Sequence, residues 1–171
     1  MRIDFGKHKD EIVEFVMLED PSYIKWVLDQ KNASGKLGEL QSEIMRLMDI
    51  FDRKPILSRC TGHNCNRNAT RAAVSRFNPV PSWWCDQCSP AQDSNEDKPK
   101  IVCTYRDALN YAARHTGRWE SDYQNLIQAL ARAKGLRSRI DKDEAQEFFC
   151  PFPPENRFPD RLMIRWEDLI F

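Results

Sequence analysis

Six cysteines stand in the 171 residues, and four of them form two close pairs, Cys60-x4-Cys65 and, nineteen residues later, Cys85-x2-Cys88. Each short pair lets two thiolates converge on one ion, and the intervening chain folds back to join the pairs, as a tetrahedral Zn²⁺ requires. Asn64, Asn66 and Asn68 supply turn-tolerant positions near the first pair, and Pro79 and Pro81 stiffen the approach to the second. The spacing predicts a structural zinc on Cys60, Cys65, Cys85 and Cys88. The plainer alternatives are unrelated reduced thiols or a Cys85–Cys88 disulfide. His63, inside the first pair, offers a replacement for one thiolate. A shell of four cysteines leaves no open position for water, so this zinc organises structure and does not catalyse. Cys103 and Cys150 stand alone and read as buried hydrophobes.

The second chemistry is cationic and aromatic. The stretch 55–90 carries four arginines against one aspartate, within a chain of zero formal net charge. A divalent ion on four thiolates takes back two of those charges, so any polyanion contact must come from local patches. "NRNATRAAVSRF" places Arg67 and Arg71 four residues apart, with Arg76 and Phe77 beyond, and "VPSWWCDQC" adds Trp83 and Trp84. Arginines beside aromatics suit phosphate contacts and base stacking. The alternative is that one Trp packs a small zinc core while the arginines are solvated. A second basic cluster, Arg132, Lys134, Arg137, Arg139 and Lys142, straddles the end of a predicted helix, where cations also have a purely structural reason to sit. No Gly-rich phosphate loop and no Ser/His/Asp arrangement occurs, and His8 and His115 have no companions at ligand spacing.

These residues need elements to position them. Residues 2–16 read as two short strands around a turn at Gly6–Asp10. Asp20-Pro21 opens a helix, with Asp as N-cap and Pro at the first helical position, whose body buries Tyr23, Ile24, Trp26 and Val27. Leu37, Leu40, Ile44, Leu47, Met48 and Phe51 fall on one stripe of a long helix ended by Pro55. Thr104 with Asp107, and Ser121 with Gln124, resemble capping boxes for helices ending at Gly117 and Gly135. Tyr123, Leu126, Ile127 and Leu130 make the buried stripe of the second. A short helix is expected at Asp141–Phe149. The expected organisation is a module at 1–58, a zinc module at 59–90, a polar linker at 91–100, a helical region at 101–149, and a Pro-rich arm with an apolar docking tail at 150–171. The fold class is mainly α, with a small N-terminal β-hairpin.

The N-terminal run "FGKHKDEIVEFVMLEDPSYIKWVLDQ" resembles the small C-terminal domain of exodeoxyribonuclease X-like proteins, over about the first 54 residues. Phe5, Gly6, Lys7, Lys9, Asp20, Pro21, Tyr23 and Trp26 match its pattern. The run departs at Asp10, where the family usually has glycine. Aspartate tolerates a left-handed turn, while its charge beside Lys7 and Lys9 weakens a phosphate cradle. The resemblance implies a nucleic-acid-associated module, not a nuclease, because the nuclease domain of that class opens with an Asp-x-Glu motif that does not occur here.

The expectation is therefore a non-enzymatic accessory subunit binding DNA or RNA within a larger nucleoprotein complex of replication, repair or CRISPR-type defence. Lys7, His8 and Lys9 would lie on the outside of the first turn, facing a polyanion, and the arginines and tryptophans above would supply further contacts. The other reading is a protein–protein adaptor with a structural zinc. No run approaches the roughly 18 apolar residues of a membrane span, so a cytoplasmic location is expected.

Overall fold

Val13, Val16 and Met17 are spaced three and four apart, so a helix gathers them on one face. This spacing decides how the chain begins. In the computed structural model, which describes residues 1–75, 78–88, 99–115, 120–137 and 139–150, α1 (Val13–Glu19) buries Val13, Val16, Met17 and Leu18. The expected second strand of an N-terminal hairpin is therefore a helix. What remains of the hairpin is a turn closed by one isolated bridge, Arg2 to Ile12. Ile3 N donates to Glu11 O (2.8 Å) and Asp10 N to Ile3 O (2.7 Å). Gly6 and Asp10 both hold positive φ, +71° and +69°. The β-branched residues Ile12, Val13 and Val16 suggested a strand, and burial against the neighbouring helices overrode that propensity.

Asp20 ends α1 and caps α2 (Pro21–Asp29), accepting from Tyr23 N at 3.0 Å. Ile24 and Val27 are buried, whereas Trp26, expected inside, is 51% exposed. It sits about 200° around the helix from Ile24, on the solvent side. In α3 (Gly35–Arg53), Leu40, Ile44, Leu47, Met48 and Phe51 form the expected buried stripe. α4 (Tyr105–His115) carries the expected capping box, Thr104 Oγ1 accepting from Asp107 N and Asp107 Oδ2 from Thr104 N, each at 3.0 Å. α5 (Glu120–Ala133) already contains Ser121. Gln124 points away from a cap, donating to Glu19 Oε2 at 2.9 Å. α5 closes on Gly135 (φ +103°), with Leu136 N donating to Ala131 O, the pattern of a Schellman cap. α6 (Lys142–Phe148) is capped by Asp141, which accepts from Glu144 N.

Strands β1 (Arg71–Ser75), β2 (Asn78–Trp84) and β3 (Lys100–Val102) form an antiparallel sheet of order β2-β1-β3. The protein is thus mainly α, and its sheet lies in the middle of the chain. Ala72, Val74 and Val102 of the sheet share one apolar core with Ile44, Phe51, Tyr105 and Leu126. Trp83 packs both on this core and on a small cluster of Ile56, Ala69 and Ala133. Cys103 and Cys150, expected to be buried, are exposed. Residues 89–98 (which include most of the linker), Arg76 and Phe77, Gly117 and the arm beyond Cys150 lie outside the described residues.

Tyr105 ties the two halves of the core together. Its fully buried hydroxyl donates to Met17 O at 2.6 Å, satisfying a carbonyl in the last turn of α1. Its ring meets Phe51 edge-on at 5.3 Å. Tyr105→Phe keeps the ring and orphans that carbonyl, so it is expected to cost about 1–2 kcal/mol. Urea unfolding is the measurement, and an unchanged midpoint contradicts the role.

Candidate metal centre

The ligand atoms of Cys60, Cys65, Cys85 and Cys88 all lie within 4.8 Å of one another. Cys65 Sγ and Cys85 Sγ stand 3.8 Å apart. For a tetrahedron of sulfurs at about 2.3 Å from a central ion, the edge is about 3.8 Å, so the group has the dimensions of a metal site. His63 is exposed and is not part of it.

Local structure brings each pair to this point. The first pair sits in a loop closed by Cys60 N donating to Arg67 O (2.9 Å) and Cys65 N donating to Gly62 O (3.1 Å). Asn64, at φ +55°, supplies the left-handed residue of that loop. Thr61 N reaches across to Trp83 O at 2.8 Å and so fastens the loop to β2. The second pair follows β2 directly and turns back with Cys88 N donating to Cys85 O at 3.3 Å. Thr70 closes this turn from the other side, its N bonding Trp84 O and its Oγ1 bonding Asp86 Oδ1.

Backbone amides are aimed at the sulfurs. Gly62 N and Cys85 N lie 3.4 and 3.3 Å from Cys60 Sγ. Burial pushes the Cys60 and Cys85 thiols up, but the amide donors (Gly62 and Cys85 for one, Gln87 and Cys88 for the other) outweigh it and hold both below the usual thiol range. Cys88 is driven up, because it shares hydrogen bonds with Cys85 and Cys65. The shifts at Cys60 and Cys85 both favour the thiolate, the form that binds metal.

The expected contact residues have a variety of placements. Lys7 Nζ and His8 Nε2 both engage Asp20 Oδ2, at 2.9 and 2.8 Å, and Lys9 stays exposed on the turn. Arg67 donates to Gln87 Oε1, and Arg71 to the carbonyls of the second cysteine turn. Trp83 and Trp84 are half-buried, the Trp84 indole N–H donating to Ser82 Oγ at 2.8 Å. Lys134 is buried, donating to Lys54 O at 2.6 Å at the C-terminal end of α3, and burial lowers its pKa. Arg132 lies exposed along α5, beside Gln128. Arg137 pairs with Glu144 at 3.5 Å, and Arg139 is exposed.

Sequence reasoning missed an aromatic stack. Trp26 stacks on Tyr23 (centroids 5.7 Å apart, planes at 27°), and Tyr23 meets the His8 ring edge-on at 4.7 Å. A helical wheel of α2 built on Ile24 and Val27 would have put Trp26 outside. Gly62 was also missed: a Cβ there would lie 2.7 Å from Cys88 Sγ, which sequence spacing alone does not reveal. The chain matches no protein-family model, no curated protein and no solved structure.

Two outcomes follow from this geometry. Gly62→Ala must displace the Cys88 sulfur, so Co²⁺ affinity in a spectroscopic titration is expected to fall at least about tenfold, as when a metal site's supporting shell is disturbed; unchanged affinity contradicts the packing. Asp20 is held well below its ordinary value of 3.8, since donors from Ser22, Lys7, His8 and Tyr23 N overcome the cost of burial. Its contribution is therefore complete above pH 3.8 and declines as pH falls below that value. Asp20→Ala should cost about 1 kcal/mol through the lost N-cap, while the exposed Lys7 pair adds little. Acid unfolding of Asp20→Asn, which keeps a capping side chain, should show a shallower loss of stability below that pH. An identical acid profile argues against the charge-based role.

Proposed function

We propose that the protein is a non-catalytic, zinc-containing accessory subunit that contacts nucleic acid within a larger nucleoprotein assembly of replication, repair or CRISPR-type defence. Four thiolates form a soft tetrahedral set, which suits Zn²⁺ and fills its shell, leaving no position for an activated water. When bound, the ion would supply cross-linking: it would hold the 60–65 loop against the turn after β2. The observation that carries the nucleic-acid contact is the exposed Trp26 stacked on Tyr23. One indole face is supported, the stack is braced by His8, and Lys9 lies on the adjoining turn. A braced aromatic face offers stacking to an unpaired base at little cost in side-chain entropy. The resemblance of residues 1–54 to the exodeoxyribonuclease X-like C-terminal domain points the same way, since Asp20, Tyr23 and Trp26 belong to its pattern.

A second reading, an adaptor that contacts only proteins, draws on a different observation. Lys7, His8, Arg71 and Lys134 are engaged in internal contacts, while Leu57, Val80 and Ile101 are exposed at 63%, 69% and 42%. The two readings separate in solution. The first expects one zinc per chain and binding to a labelled single-stranded oligonucleotide that weakens as salt rises. It also expects Trp26→Ala to lose about 5- to 100-fold in affinity, the range of one stacked base. Absence of binding to single- and double-stranded oligonucleotides at low salt would leave the adaptor reading.

A further inference from the structure

Arg71 is the first residue of β1 and pairs with Trp84, the last residue of β2. Cys85 follows Trp84 at once, so the strand register lays the Arg71 side chain along the second cysteine turn. Its Nη2 lies 3.1 Å from Cys85 O, 3.3 Å from Asp86 O and 3.0 Å from Cys88 O. Its Nε is buried with no hydrogen-bond partner. Nε is enclosed and Nη2 is committed to the second cysteine turn, so this side chain is engaged inward.

The three carbonyls show what it does hold. They belong to Cys85, Asp86 and Cys88, so one guanidinium ties the two ligand-bearing residues and the turn between them together. Charge adds a second effect. Four thiolates around a divalent ion carry two net negative charges, and a guanidinium on the adjoining turn offsets one of them. A lysine would carry the same charge on a compact ammonium rather than on a guanidinium plane laid along the turn.

We infer that Arg71 is the positioning residue of the metal centre: it orients the Cys85–Cys88 turn, and thereby governs how tightly the ion is retained. This inference rests on the metal-site reading of the four cysteines. It changes the part played by one of the arginines first assigned to nucleic acid.

The test uses the full chain loaded with Zn²⁺, in the wild type and in Arg71→Gln and Arg71→Lys. The readouts are the rate of zinc transfer to a chromophoric chelator and the pH at which half of the metal is released. Arg71→Gln is expected to release zinc about 10- to 100-fold faster, the usual penalty for losing a partner of the ligand shell. Its half-release point should move to higher pH, because thiolates with weaker support are protonated more readily. Arg71→Lys should fall between the two. Release rates within twofold of wild type, with the same half-release pH, would overturn the inference. If Arg71→Gln does not fold, Arg71→Lys decides, with at least about threefold faster release expected. A wild-type chain that retains no zinc would overturn the metal reading itself, and so is distinguishable from failure of the Arg71 role.

Discussion

Four cysteine sulfurs have to meet within a space the size of one ion, although nineteen residues separate the two pairs. Much of the middle of the chain answers to that requirement. The antiparallel pairing of β1 with β2 returns the chain, so that the second pair lands beside the first. Thr61 and Thr70 fasten the two cysteine loops to the end of β2. Gly62 leaves room for the Cys88 sulfur, and Arg71 lies across the carbonyls behind it. A sheet with one strand of only three residues has little independent stability. This one leans on the helices through Ala72, Val74 and Val102, and on the cysteine cluster at its other end.

The helical part is knit by polar side chains that reach across elements to carbonyls left open at helix ends. Tyr105 answers Met17, Gln128 answers Leu18, and Lys134 answers Lys54. Such bonds contribute modestly when made and cost more when broken, since the carbonyls are shielded from water. They also account for residues whose composition suggested a surface role. Lys134 belongs to a basic run, yet its ammonium is enclosed above the Phe51 ring, 5.4 Å from the centroid. Asp20 similarly gathers Lys7, His8, Ser22 and the Tyr23 amide, so part of the first basic turn serves to brace α2. Trp26 stays exposed outside this brace, stacked on Tyr23.

Much of the architecture was legible from local chemistry. The α3 stripe, the Asp20-Pro21 start, the Thr104–Asp107 box, the Asp141 cap and the cysteine pairs each depend on residues within a few positions of one another. Their signals are short-range sterics, capping hydrogen bonds and ligand spacing, which the sequence displays directly. The N-terminal hairpin was read less well. Ile12, Val13 and Val16 favour a strand by residue type, and the choice of helix depended on α2, α3, α5 and α6 lying close enough to bury one helical face.

By itself, then, the sequence determined α2 to α6, the caps at Asp20, Thr104 and Asp141, and the four candidate metal ligands. The tertiary structure decided the side-chain assignments: which cation meets a side chain, which is buried and which holds a turn's carbonyls. Arg67, Arg71 and Lys134 look alike in sequence as cationic, long and polar. Their roles separate only when strand register and helix packing bring particular carbonyls within about 3 Å, the reach of a hydrogen bond. Trp26 shows the converse, an apolar residue that α2 turns outward because Ile24 and Val27 take the inner face. Hydrogen bonding and burial depend on distances between residues far apart in the chain, and those distances exist only in the folded protein.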